Sequence, residues 1–136
     1  MKKTYFQRLK IDMRFSKICL ILSVLLLVSA QFIYYPKWKM KNTEATISWD
    51  VSGYYFYLPA VFIYHDLDKV AFRDSIVEKY KPSTSAGQAF DVGNGNRVMK
   101  YSMGQAVSFL PGFLVGHFFA LVSPYPADGF SFPYQL

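Results

Sequence analysis

The chain is 136 residues long, so it can form one small domain at most. Hydrophobic residues make up 52% of it and aromatic residues 19%, which is more than a small soluble domain needs. The net charge of +6 is uneven, because residues 1–41 hold nine basic residues and one acid, whereas residues 42–136 hold six basic residues and eight acids. A nucleic-acid-binding domain would carry a basic patch on a folded face, so this distribution argues against that class. The single cysteine, Cys19, excludes an internal disulfide.

An uncharged apolar run occupies residues 18–35 and reads ICLILSVLLLVSAQFIYY. A helix of about 17–25 apolar residues is needed to cross the hydrocarbon core of a bilayer, so we predict a transmembrane helix here. Trp38, just beyond it, is typical of the aromatic belt at a membrane interface, and Pro36 is expected to end the helix. The alternative is a cleaved signal peptide, with the cut after Ala30.

The charges on either side of this run predict its orientation. Six basic residues precede it in the tail, residues 1–17, and three lysines follow it. By the positive-inside bias, the N-terminus faces the cytoplasm and the chain after Lys37 faces the periplasm or the exterior. The signal-peptide alternative also places the rest of the chain outside the cytoplasm.

Residues 36–100 are predicted to form an extracytoplasmic loop region with juxtamembrane helices. Asp50 can cap a helix that begins at Val51, because its carboxylate can accept hydrogen bonds from exposed backbone amides. Pro59 is expected to kink this helix or to restart it. The aromatic side chains of the helix fit one that lies in the membrane interface, and packing in a protein core is an equally open alternative.

Two further elements are predicted in the same region. A helix from Lys69 to about Lys81 has an apolar face, with Asp66 or Asp68 as its cap. A short β-hairpin is predicted next, because residues 88–92 and 97–101 flank the turn sequence GNGN.

The second apolar region, residues 101–122, is predicted to be a kinked helix that is membrane-embedded or interfacial. Gln105, Pro111 and His117 interrupt its apolar character. The tail, residues 123–136, is rich in turn-forming residues and is predicted to be a connector. We therefore predict a mainly α membrane protein with one N-terminal transmembrane helix, interfacial helices and a small hairpin. A second membrane-embedded helix is an open alternative.

Motifs of soluble enzymes are absent from the sequence. It has no phosphate-binding glycine-rich loop, no nucleophile elbow and no zinc-protease motif. Two histidines are too few for a histidine-rich metal site, so we predict no metal ligands. Asp50 is the best candidate for a catalytic base. The alternative is that its carboxylate only caps the helix and has no chemical role. Lys100 and Arg97 could pair with a phosphate group, although basic residues before an apolar helix more often act as interfacial anchors.

Three segments together resemble a known family. They are SWDVSGYYFYLPA at residues 48–60, KYSMG at residues 100–104 and YPADGFSFPYQ at residues 125–135. Their order, after a basic tail and one apolar segment, resembles the N-terminal part of a Bacteroidetes-type branch of the polytopic membrane glycosyltransferases of GT-C type. That resemblance covers nearly the whole chain. It implies an enzyme that takes a sugar, such as mannose, from a dolichyl- or polyprenyl-phosphate donor.

The resemblance implies a location and roles for individual residues. The protein would lie in the bacterial inner membrane, with the bilayer and a polyprenyl-phosphate-sugar as its partners and no nucleic acid. Asp50 would be the base that activates the acceptor or a carboxylate that assists a metal, which makes a divalent cation a candidate cofactor. Tyr54, Tyr55, Arg97 and Lys100 would contact the substrate. Residues 51–81 and 101–122 would be the juxtamembrane helices.

Enzymes of this type have many membrane spans, so the chain is expected to be an N-terminal fragment that is inactive by itself. Two alternatives come from other classes of protein. One is a small non-catalytic, membrane-anchored interaction protein, or an inactive remnant. The other is a secreted binding module released by cleavage after Ala30, which would be unusually aromatic for a soluble domain.

Overall fold

The computed structural model describes residues 2–84 and 88–136, with side chains from Arg14 onward. The molecule is mainly helical, at 59%, and contains one two-stranded antiparallel sheet. The predicted mainly α class and the small sheet are therefore confirmed. Two compact units divide the chain, Met1–Pro36 and Lys37–Leu136.

The first unit is built on one long helix, α1, at Lys2–Tyr34. The helix begins within the basic tail, so it is longer than the predicted segment 18–35. At 1.5 Å per residue its 33 residues extend about 50 Å. It ends just before Tyr35 and Pro36, as predicted, because proline disfavours helical geometry at the residue before it. Its described side chains are exposed.

Among the residues that the structure describes, two helical segments are long and apolar enough to cross a membrane, Arg14–Lys39 and Gly104–Leu121. The first has a mean hydropathy of 2.2 with none of its window buried, and the second has 1.3 with 22% buried. Signal sequences and the core helices of soluble proteins share this length and composition. The transmembrane assignment of residues 18–35 therefore stays a prediction.

The second unit opens with two short 3-10 turns, Lys37–Lys39 and Asn42–Glu44, followed by helices α2 at Trp49–Tyr55 and α3 at Tyr57–Phe62. Pro59 has no N–H to donate to the carbonyl of Tyr55, four residues earlier. The helix consequently breaks at Phe56 and restarts, which confirms one of the two predicted effects of Pro59.

The predicted capping role of Asp50 is wrong. Helix α2 begins at Trp49, with Ser48 as the residue before it, so Asp50 lies inside the first turn. The Trp49 amide donates instead to the carbonyl of Pro82, over 2.8 Å. The carboxylate of Asp50 accepts a hydrogen bond from the side chain of Tyr101.

Helix α4 spans Phe72–Tyr80, so it begins three residues later than the predicted Lys69. The carboxylate of Asp66 accepts hydrogen bonds from the amides of Lys69, at 3.0 Å, and Ala71, at 2.7 Å. These bonds, chiefly the one from Ala71, lower the pKa of Asp66. Asp66 therefore caps the turn before the helix, and Val70, at φ 46°, separates that turn from α4.

The predicted hairpin is formed by β1 at Ala89–Asp91 and β2 at Arg97–Met99, with Phe90 opposite Val98. Its turn requires a left-handed backbone at Gly93 (φ 87°) and Gly95 (φ 81°), which glycine adopts without strain. The predicted strands were longer than those observed. The hairpin brings the residues that follow β2 back towards α2.

Helix α5 occupies Gly104–Leu121 and stays continuous through Pro111, and helix α6 occupies Phe132–Gln135. The tail 123–136, predicted as a connector, instead supplies part of the core. Gln135 accepts a hydrogen bond from the amide of Ile47, 88 positions away, and donates one to the carbonyl of Phe130. Local composition cannot reveal contacts between segments so far apart.

The core of the Lys37–Leu136 unit is aromatic. Phe56 is completely buried, and its ring lies 5.2 Å from that of Phe130 between centroids. The Phe130 ring in turn lies 5.4 Å from that of Tyr55, which packs edge-on against Phe113 of α5. Buried rings each remove a large apolar area from water, so this cluster fixes α2, α5 and the tail together.

Candidate functional site

Four side chains near the start of α2 form what we call the Asp50 cluster: Asp50, Tyr54, Lys100 and Tyr101. Asp50 lies in the first turn of α2, and its side chain is 69% exposed. An exposed carboxylate can reach a substrate from the surface.

Tyr101 orients Asp50. The Tyr101 hydroxyl donates a hydrogen bond to Oδ1 of Asp50. The backbone of Tyr101 is itself fixed, because its carbonyl accepts a hydrogen bond of 2.6 Å from the hydroxyl of Tyr57. The amide of Lys100 also donates to the carbonyl of Gln88, over 2.8 Å. Two elements, the hairpin and α3, therefore hold the phenol against the carboxylate.

Tyr54 provides a second contact to Tyr101. It lies one helical turn after Asp50 on α2, and its ring stacks on the Tyr101 ring with centroids 4.3 Å apart and planes 25° apart. Close approach is possible because position 53 is glycine. A Cβ atom on Gly53 would lie 2.5 Å from the Tyr101 ring, inside any real contact distance.

Lys100 supplies the positive charge of the cluster. Its ammonium lies 4.0 Å from Oδ1 of Asp50 and 4.9 Å from the centroid of the Tyr101 ring. A hydrogen bond with the Tyr101 hydroxyl is the main reason that the pKa of Lys100 is raised, and attraction to the Asp50 carboxylate raises it further. Lys100 is therefore charged at neutral pH, and its exposed side chain is accessible to an anion.

This arrangement can carry out a limited chemistry. The exposed carboxylate of Asp50 can accept a proton from a hydroxyl that approaches the surface. Tyr101 limits its rotation, and Lys100 can attract a phosphate oxygen beside it. The cluster thus places a base and a cation within one small surface.

Two of the predicted substrate-binding residues lie elsewhere. Tyr55 is only 4% exposed and belongs to the core, where burial raises the pKa of its hydroxyl well above the usual value. Arg97 donates to Asp74 over 2.6 Å and to the carbonyl of Val70 over 3.1 Å, so it ties the hairpin to α4. The structure brings Asp50, Tyr54 and Lys100 together and places Tyr55 and Arg97 outside the cluster.

Two structurally important residues were not singled out from the sequence. Tyr101 was part of the KYSMG segment, and its position next to Lys100 after a hairpin is the signal that could have identified it. Asp128 receives hydrogen bonds from Tyr80, at 2.6 Å, and Lys79, at 2.8 Å. Burial favours a raised pKa for Asp128, but these partners outweigh burial and lower it. The turn sequence Ala127-Asp128-Gly129 was its only local signal.

The described residues do not fit the divalent cation that the family resemblance implies. No three histidine, cysteine or acidic side chains among them lie close enough to hold a metal ion together. Asp50 is the one carboxylate of its cluster, and the ammonium of Lys100 beside it would repel a cation. We therefore derive no step that involves a metal.

Comparison with protein-family models, with curated proteins and with solved structures gives no significant match to this chain.

Proposed function

We propose that the chain is part of an integral-membrane glycosyltransferase of GT-C type, in which Asp50 activates the acceptor for transfer of a sugar from a polyprenyl-phosphate donor. The observation that carries this proposal is the exposed Asp50 carboxylate, oriented by Tyr101 and accompanied by Lys100 at 4.0 Å. An accessible base next to a cation suits a reaction in which a hydroxyl attacks and a phosphate departs.

Each residue of the cluster has a role in this proposal. Asp50 takes the proton of the acceptor hydroxyl while the oxygen bonds to the anomeric carbon of the sugar. The bond from that carbon to the phosphate oxygen breaks, and Lys100 attracts the negative charge that the polyprenyl phosphate gains. Tyr101 keeps the carboxylate in position, and Tyr54 offers an aromatic surface beside it.

The proposed membrane placement rests on α1 and α5, both of which include a segment that is long and apolar enough to span. We assign residues 1–17 to the cytoplasm and the Lys37–Leu136 unit to the periplasmic side of a bacterial inner membrane, from the charge bias around α1. A membrane-embedded polyprenyl donor would then present its phosphate at the same interface as the cluster. Interfacial placement of α2 and α3 belongs to this proposal as well.

The test is transfer of radiolabelled sugar from a polyprenyl-phosphate-sugar, mannose first, by membranes of cells that express the complete gene. Replacing Asp50 with Asn should lower turnover at least about 100-fold, the usual contribution of a general base, without changing the amount of protein. Asp68→Asn is the matched control, since it removes the same charge from another exposed position. Normal transfer by the Asp50→Asn variant would refute the catalytic role.

A non-catalytic, membrane-anchored interaction protein is the second candidate. The exposed apolar side chains of α5, among them Leu114, Val115 and Phe118, favour it, because such a surface requires lipid or a partner to cover it. This candidate predicts no sugar transfer by the wild-type protein in any membrane preparation. It also predicts a co-purifying partner that is lost when these three residues are made polar.

A further inference from the structure

A pocket of about 500 Å³ lies within the Lys37–Leu136 unit, and no residue of the Asp50 cluster lines it. Sites for small ligands commonly have volumes of about 300–1,000 Å³, so the pocket is large enough for a headgroup or a small metabolite. Its lining comes from the segment after α1, from the end of α4 and from the tail.

The charge of the pocket is positive. Lys39, Lys41 and Lys79 line it, and among the residues that the structure describes no acidic side chain does. Lys39 and Lys41 are exposed, so they can turn towards a ligand. Asp128 pairs with Lys79, so Lys39 and Lys41 give the lining its excess positive charge, which favours an anion over a neutral or cationic ligand.

Lys79 is fixed in place by Asp128. The carboxylate of Asp128 accepts hydrogen bonds at Oδ2 from Lys79 and Tyr80, and at Oδ1 from the amides of Phe130 and Ser131. Both oxygens are thus engaged with the protein. An ammonium has three donors, and the bonds to Asp128 and Tyr80 leave one for a ligand in the pocket.

Aromatic side chains form the walls. The ring of Trp38 meets that of Phe132 edge-on, with centroids 6.0 Å apart, and the ammonium of Lys39 lies 4.6 Å from the Trp38 centroid. The ammonium of Lys79 lies 4.8 Å from the ring of Tyr80. Cations beside apolar rings suit a ligand that has both an anionic group and an apolar part.

The position of the lining in the chain indicates where such a ligand is. Trp38 and Lys39 follow the last residue of α1 by four and five positions. If α1 spans the bilayer, these residues lie where the hydrocarbon ends and lipid headgroups begin, since four residues of chain reach about 14 Å at most. Tryptophan and lysine are the residue types found at that depth.

We propose that this pocket binds the phosphodiester headgroup of an anionic glycerophospholipid such as phosphatidylglycerol. The lysines contact the phosphate, and Trp38 and Phe132 contact the glycerol and the first part of the acyl chains. The proposal goes beyond sugar transfer, and it depends on the membrane placement of α1 but not on the chemistry of Asp50. If the proposal is correct, the bound lipid holds the Lys37–Leu136 unit at a fixed depth at the membrane surface.

Fluorescence quenching by brominated lipid tests this directly. The chain has two tryptophans, so Trp49→Phe leaves Trp38 as the only reporter. Purified protein in neutral detergent micelles is titrated with brominated phosphatidylglycerol and, separately, with brominated phosphatidylcholine. We expect half-maximal quenching at an at least tenfold lower mole fraction of phosphatidylglycerol. Equal quenching by the two lipids would overturn the proposal.

A charge-matched pair of double variants locates the site. Lys39→Gln with Lys41→Gln removes two lysines of the pocket, whereas Lys37→Gln with Lys69→Gln removes two basic side chains that do not line it. Each lysine that contacts the bound phosphate is expected to contribute about 1 kcal/mol, or about fivefold in affinity, so the first pair should weaken quenching about 25-fold. The second pair should change it less than about twofold. Thermal unfolding measured by circular dichroism checks that both variants fold.

Three further results would overturn the proposal. Equal losses in the two double variants would show a general effect of charge and no site. Unchanged quenching in the Lys39→Gln, Lys41→Gln variant would show that these lysines do not contact the lipid phosphate. Displacement of phosphatidylglycerol by millimolar inorganic phosphate would show that the pocket recognises a free anion and no lipid. Because Asp50→Asn should leave quenching unchanged, failure here is distinguishable from failure of the proposed glycosyl transfer.

Discussion

The hydroxyl of Tyr101 donates its hydrogen bond to the carboxylate of Asp50 across 51 positions of the chain. That contact joins the first turn of α2 to the second residue after β2. It gives an exposed acid a fixed direction, which an isolated surface aspartate does not have. The site is therefore a property of the folded unit rather than of α2 alone.

Tyr101→Phe should lower the rate of sugar transfer, because Asp50 would keep its charge but lose its orientation. We expect a decrease of about tenfold in kcat, corresponding to about 1.4 kcal/mol, with a small change in KM. Tyr54→Phe is the control, since it keeps the ring that stacks on Tyr101. Equal kcat values in the two variants would remove Tyr101 from any positioning role.

Gly53→Ala should destabilise the Lys37–Leu136 unit. The added Cβ would lie 2.5 Å from the Tyr101 ring and 2.8 Å from Cβ of Gln88, so the ring must move. Overpacking of this kind costs about 1–3 kcal/mol. Gly104→Ala, which meets nothing within 4 Å, is the control and should be neutral or slightly stabilising. Thermal unfolding in detergent measures both, and equal midpoints would contradict the close contact.

How far the sequence predicts this structure depends on the range of each interaction. The hairpin, the end of α1 before Pro36 and the break near Pro59 follow from the backbone chemistry of single residues, and all three were predicted. The role of the tail was not, because the bond between Ile47 and Gln135 spans 88 positions and leaves no local pattern.

The candidate site shows the same division. Asp50 and Lys100 were chosen for their residue types, and the structure does bring them together. Residue type does not single out Tyr101, because its role depends on the hydrogen bond to Asp50 on a distant helix. Tyr55 was selected from an aromatic tract in which exposed Trp49 and buried Phe56 look alike by composition. Only the packing of α5 and the tail decides which of these rings faces the core.

Asp128 should make the stability of the unit depend on pH. Its pKa is lowered in the folded state, so its contribution is fully present above the usual value of 3.8 and is lost as the pH falls through the lowered pKa. Asp128→Asn should therefore cost about 1–2 kcal/mol at pH 7 and flatten the loss of stability between about pH 5 and pH 2. Denaturant unfolding at several pH values measures this.

The control for that experiment is Asp68→Asn, which removes an exposed carboxylate and should leave the acid-side profile of the wild type unchanged. If Asp128→Asn loses stability in acid as steeply as the wild type does, another carboxylate dominates the transition. Asp74 would then be the next candidate, because Arg97 lowers its pKa as well.

Cysteine labelling should reveal the orientation of α1. In a Cys19→Ser background, a single cysteine at Lys69 should react with a membrane-impermeant maleimide in spheroplasts, because the Lys37–Leu136 unit is expected on the outer side. A single cysteine at Lys10 should react only after the membrane is permeabilised. The opposite pattern would reverse the proposed topology and, with it, the side of the membrane on which Asp50 works.

Tyr55→Phe should leave the unit as stable as the wild type or up to about 1 kcal/mol more stable. The Tyr55 hydroxyl is buried and finds no hydrogen-bond partner among the described residues, so its removal ends a desolvation cost. Tyr80→Phe is the matched comparison, because it deletes the hydrogen bond to Asp128 and should cost about 1–2 kcal/mol. Thermal unfolding separates the two variants. A marked loss of sugar transfer in Tyr55→Phe, with its stability unchanged, would restore Tyr55 as a substrate contact and would require the core around it to open during the reaction.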